Sequence, residues 1–141
     1  MLYAMVIMDY AHEYELRHYL HMWKAQEDVY LLHSDIQRLE AANLSPSDIK
    51  EHILHTLADS DAVLVMAGEW VNDEAHNAHE IGEINWQNYA IKQALKLGLK
   101  MRGIKLFKEC EKPIVLKNKR GLKWRVLSSN NYAIALNELV T

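Results

Sequence analysis

The stretch "AVLVMAG" (62–68) is apolar at every position and stops at a glycine. A strand wetted on one face alternates apolar and polar residues, whereas a strand covered on both faces reads as an unbroken apolar run. This run is therefore read as a central strand of a parallel sheet. "YAMVIM" (3–8), which ends at Asp9, has the same character, and "VYLL" (29–32) is a shorter example. Helical patterns fill the gaps between them. In "HEYELRHYLHMWKA" (12–25), Leu16, Leu20 and Trp23 make one apolar face. "SPSDIKEHILHTLADS" (45–60) opens with Ser45 as N-cap, Pro46 at the first helical position and Asp48 as a capping acid. Its expected core face is Ile49, Ile53, Leu54 and Leu57. After a long polar stretch (69–84), a helix is expected from Trp86 to about Leu97, capped by Asn85, with Gln87, Ile91, Ala94, Leu95 and Gly98 as its buried stripe. "LKMRGIKLF" (99–107) and "KWRVL" (123–127) read as further strands, and "NYAIALNEL" (131–139) as a closing helix. Alternating strands and helices predict one α/β domain over residues 1–141, an open parallel sheet of about five strands with helices on both faces.

In such sheets, ligands bind outside the carboxyl ends of the strands. Three segments follow strand ends: "DYAHEY", "HSD" and "GEWVNDEAHNAHE". They bring Asp9, Asp35 and Glu69 to the rim, with Glu80 and Glu83 just before the helix at Trp86. Acids there can stabilise positive charge on a ribose as an N-glycosidic bond breaks. The start of that helix favours an anion, and Trp86 and Tyr89 offer faces for a ring.

Several chemistries are absent. The chain has neither GxGxxG nor GxxxxGK[ST], which argues against Rossmann and P-loop mechanisms, and no GxSxG elbow. His76 and His79 lack an evident third ligand, so no metal is expected. Cys110 is the sole cysteine; it reads as an ordinary thiol, and its isolation suggests a reducing cytoplasm. "MLYAMVIM" lacks the basic start and cleavage site of a signal peptide, and no apolar run is long enough for a membrane span.

Net charge is −3 but divided: residues 1–91 hold 4 Lys/Arg and 16 Asp/Glu, and residues 92–141 hold 12 and 3. Internal neutralisation within one fold is the simplest resolution. The division also suits phosphates or a second copy of the chain, so a homo-oligomer is compatible with it.

"VIMDYAHEYELRHYLHMW" resembles the opening of the TIR-like domains of Thoeris antiphage systems, in an apolar strand followed by Asp9, Tyr10, Tyr14, Arg17 and Trp23. "DIKEHILHTLADSDAVLVMAGEW" resembles their next helix and strand, which ends at Gly68. "WQNYAIKQALKLGLKMRGIKL" resembles their W-x-x-[WY]-E-I-x-x-A helix and the strand after it, and "GLKWRVLSSNNYAIAL" their ending. The resemblance spans nearly the whole chain and implies a flavodoxin-like or TIR-like sheet. It also implies an enzyme that takes NAD+ as substrate, needs no other cofactor, and makes an ADP-ribose-derived signal. The signal activates an effector protein without contact; no nucleic acid or membrane partner is implied. Met8, Asp9, Tyr10, Asp35, Gly68, Trp86 and Tyr89 are the expected substrate-binding residues.

Two departures stand out. The stretch between Gly68 and Trp86 is longer than the pattern, and Ala90 occupies the place of the family's catalytic glutamate. The alanine marks a natural relative that binds without cleaving or, the favoured reading, a Glu→Ala replacement that traps substrate; a third reading is that the helix aligns differently with the pattern and Ala90 is simply a good helix former. Two other readings compete. "SDAVLVMAGEW…AHEIG" resembles nucleoside deoxyribosyltransferases, with Glu80 as nucleophile, although "DYAHEY" lacks their glycine-rich loop. A TIR-type interaction module would need the charge division and not the pocket.

Overall fold

The computed structural model describes residues 1–23, 28–128 and 131–140, with side chains throughout except at 20–23, 131–133, 136 and 140. Leu20 and Trp23, expected on the first helix's apolar face, lie outside the described side chains. Five strands form one sheet: β1 (Leu2–Ile7), β2 (Val29–Leu32), β3 (Ala62–Ala67), β4 (Lys100–Lys105) and β5 (Trp124–Val126). Their order is β2-β1-β3-β4-β5, and every neighbouring pair is parallel. All six residues of β3 are buried. Successive side chains point to opposite faces, so both faces of the sheet are covered there, as the unbroken apolar run requires.

Helices α1 (Glu13–Trp23), α2 (Ile36–Ala41), α3 (Pro46–Ala58), α4 (Ala78–Ile81), α5 (Trp86–Lys96) and α6 (Asn131–Val140) make the crossovers and the close. Ser45 caps α3, accepting from the Asp48 amide, with Pro46 in the first turn as expected. Ile49, Ile53 and Leu57 bury a clean i, i+4, i+8 stripe, while Leu54 is exposed because it lies roughly 100° further round the helix. Asn85 caps α5, accepting from the Asn88 amide. The buried face of α5 is Trp86, Gln87, Asn88, Ala90, Ile91 and Ala94, while Leu95 is half-buried and Gly98 is exposed. The stripe is shifted from the expected one because Trp86, Asn88 and Ala90 also turn inward near the helix start. The short helices α2 and α4 carry too few residues to reveal a helical period in sequence.

The sheet order fixes where a ligand can enter. The chain passes from β1 outward to β2, then returns across β1 to β3. Consecutive connections thus leave β1 in opposite directions, and a crevice opens beyond the carboxyl ends of β1 and β3.

At the other half of the sheet, Gly103 in β4 is buried beneath Trp124 of β5. A Cβ at residue 103 would stand 2.3 Å from Trp124 Cε3. Gly103→Ala should therefore lower stability by about 1–3 kcal/mol through overpacking, and adding Trp124→Leu should recover part of the loss. Chemical denaturation of the single and double variants measures both effects.

Candidate functional site

The crevice holds a cleft of about 260 Å³, lined by residues from three segments: Asp9–His12 after β1, Trp70 and Asp73–Asn77 after β3, and Asn85–Gln87 at the start of α5. Glu40 of α2 closes one side.

The β1 end builds one wall. Asp9, 7% exposed, ends the strand and caps a 3-10 turn over Tyr10–His12 by accepting from the Ala11 amide at 3.1 Å. Its other carboxylate oxygen accepts from His12 Nδ1 at 2.8 Å. Burial raises the Asp9 pKa, and the His12 hydrogen bond and charge oppose that rise. The His12 ring stacks on Trp70, with centroids 3.9 Å apart and planes 18° from parallel.

The polar stretch after β3 builds the second wall, and asparagines give it shape. Asn85 Nδ2 donates to the carbonyls of Val71 and Asp73, and Asn88 Nδ2 donates to Val71. Asn72 Oδ1 accepts from the Ile114 amide, and Asn88 Oδ1 from the Val115 amide. The loop is thus tied to α5 and to the segment after β4. Gln87, fully buried, donates from Nε2 to the carbonyls of Met66 at 2.8 Å and Ile7 at 3.4 Å, which joins the start of α5 to both diverging strands.

The lining has two chemical peculiarities. Its acids are Asp9, Glu40, Asp73 and Glu74, and among the described residues it contains no lysine or arginine. Tyr10 Oη, Asn77 Oδ1, Trp86 Nε1 and Gln87 Oε1 are buried side-chain atoms on lining residues, and none has a hydrogen-bond partner among the described residues. Buried polar groups are ordinarily satisfied, so the packing behind the cleft wall carries unmet hydrogen-bonding capacity.

Of the residues expected from sequence to bind substrate, Asp9, Tyr10 and Trp86 line the cleft. Met8 is wholly buried core, and Gly68 is buried with Leu106 3.3 Å from its ideal Cβ position. Tyr89 meets Trp86 edge-on at 5.6 Å, with Lys50 Nζ 5.5 Å from its ring centroid; it is not on the cleft wall. Ala90 is wholly buried and also off the wall. Glu80 is exposed on α4, outside the cleft. His76 lines the cleft without His79, and the two form no ligand group among the described residues. His12, Trp70, Asp73, Asn85 and Gln87 were not singled out as cleft residues in sequence; the stretch "DYAH" carried a signal for His12 in its place directly after a strand end.

Asp35 belongs to a separate cluster. Arg17 donates to it at 2.7 Å, His33 Nε2 lies 3.5 Å away, and Arg38 Nε is also at 3.5 Å. Burial pushes the Asp35 pKa up, but His33, Arg17 and Arg38 together hold it below the usual range. Beside it, Glu13 is buried, and the Gln37 amide donates to one of its oxygens at 3.3 Å. Burial raises the Glu13 pKa to about 7, with neighbouring Asp35 adding to the rise.

No family profile matches this sequence, and no curated protein does. Among solved structures, the chain is similar to a prokaryotic SEFIR domain, with a TM-score of 0.57 and 14% identity over 99% of this chain and 96% of that one. The likeness is one of fold: a five-stranded, all-parallel open α/β sheet of the TIR-like kind.

Glu13 gives a pH prediction. Its folded pKa of about 7 exceeds its ordinary 4.5, so the folded state holds an extra proton between those values and stability falls as pH rises through that window. The loss should approach roughly 2–3 kcal/mol above pH 7. Glu13→Gln should flatten this slope and stabilise the protein at alkaline pH, as read by urea denaturation across the window.

Proposed function

We propose that this chain is a TIR-like domain that takes NAD+ into the cleft at the carboxyl ends of β1 and β3. Alanine at position 90 leaves it with little or no capacity to break the nicotinamide–ribose bond. The observation that carries the reading is the relation of residue 90 to the cleft. Trp86 and Gln87 line the cleft, and residue 90 follows them by four and three positions on α5. Helical side chains lean back over the preceding turn, toward the N-terminus. A glutamate at 90 would thus run toward the Trp86–Gln87 wall, whereas alanine ends inside the core.

The chemistry of the lining supports the same ligand. Acids without lysine or arginine favour the cationic nicotinamide–ribose end and a ribose that gains positive charge as the bond breaks. The start of α5 offers backbone N–H groups to the pyrophosphate. Trp86 adds an aromatic surface. In the finer reading, which rests on the sequence resemblance, the product is an ADP-ribose-derived signal nucleotide read by a separate effector in antiphage defence. The division of charge between the two halves favours a second reading, a non-enzymatic module that assembles with copies of itself.

Two outcomes test the proposal. The chain as it stands should bind NAD+ measurably, because a missing carboxylate removes transition-state stabilisation and not ground-state affinity; calorimetry with no heat at millimolar ligand would favour the interaction module. Ala90→Glu should raise nicotinamide release by about 100-fold or more, and Trp86→Ala added to it should lower activity again. Because Ala90 is wholly buried, the fold cost of the glutamate exceeds its helix propensity, so circular dichroism must accompany the assay. A folded Ala90→Glu protein that releases no nicotinamide, including at high protein concentration, would remove position 90 from the chemistry.

A further inference from the structure

We propose that His12 is the general base of this cleft, oriented by Asp9 and Trp70, and that it activates the hydroxyl group that captures the ribosyl carbon. The inference rests on the reading of the cleft as an NAD+ site, but concerns a different residue and a different half of the reaction.

The geometry is that of an oriented imidazole. The Asp9 carboxylate can only accept, so the 2.8 Å contact makes His12 Nδ1 the donor. In the neutral ring this leaves Nε2 with its lone pair. Asp9 is itself held by the Ala11 amide and largely buried, which keeps it from swinging away. Trp70 fixes the plane of the ring by stacking. Asp9, His12 and Trp70 all line the cleft, and among the described residues nothing hydrogen-bonds Nε2. Aspartate orients, histidine exchanges the proton, and among the described residues no serine, threonine or cysteine lines the cleft to serve as nucleophile. The group that Nε2 deprotonates is therefore brought by solvent or by the ligand: a water or a hydroxyl.

The step balances as follows. The C–N bond to nicotinamide breaks, and its electron pair neutralises the pyridinium as nicotinamide leaves. The hydroxyl oxygen bonds to the ribose C1′, and its proton passes to His12 Nε2. Asp9 and Trp70 are positioning residues in this scheme.

The test uses the Ala90→Glu protein and an acceptor that needs no base. His12→Asn added to it should lower hydrolysis of NAD+ by about 100-fold. Azide, an anionic nucleophile with no proton to lose, should restore nicotinamide release in the doubly substituted protein. Unchanged hydrolysis, or a loss that neither azide nor imidazole relieves, would overturn the role of His12 while leaving the NAD+ site standing. The chain with Ala90 supplies an independent arm. Nitrogen-15 NMR should find the His12 proton on Nδ1, and the Nε2 resonance should move when NAD+ is added. An Nε2 signal that stays put while NAD+ demonstrably binds overturns the proposal. Absence of any NAD+ binding instead overturns the reading on which it rests.

Discussion

The rim of this molecule depends on Gln87. The β1–β3 ladder ends at Ile7 and Val65; carbonyls just beyond it lack the neighbours that a continuing ladder would supply, and a buried carbonyl without a partner costs on the order of 1–3 kcal/mol. Gln87 reaches from the first turn of α5 and donates to Met66 and Ile7, one carbonyl from each strand. This contact fills the parting of the sheet and fixes the start of α5 against it. Trp86 and the turn that holds residue 90 are placed as a consequence. The asparagines at 85 and 88 then use α5 as a post to which the loop after β3 is tied, which brings Trp70 across to His12.

Electrostatics divides the carboxyl edge into two unlike sites. Among the described residues, the cleft carries acids and no lysine or arginine. Next to it, Glu13 and Asp35 sit against Arg17, His33 and Arg38, an arrangement that links α1 to α2 through charge and through the Gln37 amide. The two arginines meet the charge of Asp35, so Glu13 is the member that gains a proton as pH falls toward its pKa of about 7. Far from the cleft, Glu138 of α6 draws Arg102 of β4 and Arg125 of β5 together with Lys123. The single acid of the final helix thus gathers cations of the basic half, and Lys92 pairs with Glu83 across the boundary between the halves at 2.7 Å. No helix among the described residues is long and apolar enough to cross a membrane.

Much of the architecture was legible because burial writes itself into residue type. β1 and β3 are covered on both faces and so must be apolar throughout; α3 has a proline, a serine cap and a four-residue apolar spacing that leave little choice. The helix at Trp86 was legible too, as was Asp9 at the end of the first strand. The loop between Gly68 and Trp86 was not. Its asparagines look like the polar residues of any solvated loop, and nothing in their order reveals that Asn85, together with Asn88 of α5, holds backbone carbonyls of the loop. Leu54 and Gly98 fall a fraction of a turn outside the buried faces, a rotation too small for residue periodicity to resolve.

The sequence by itself determined the class of fold, the parallel sense of the sheet and the edge at which polar side chains would gather, since these follow from the apolar runs and from the rule that loops at strand ends carry polar groups. Only the tertiary structure decided which polar groups meet. Asp9 and His12 are three residues apart and could be paired by eye, but Trp70, Asp73 and Gln87 join them only through a strand crossover and the docking of α5. Asp35, equally acidic and equally near a strand end, was carried to a separate charged cluster because β2 lies on the outer side of β1. Residue type sets what a side chain can do; the path of the backbone sets which partners it has.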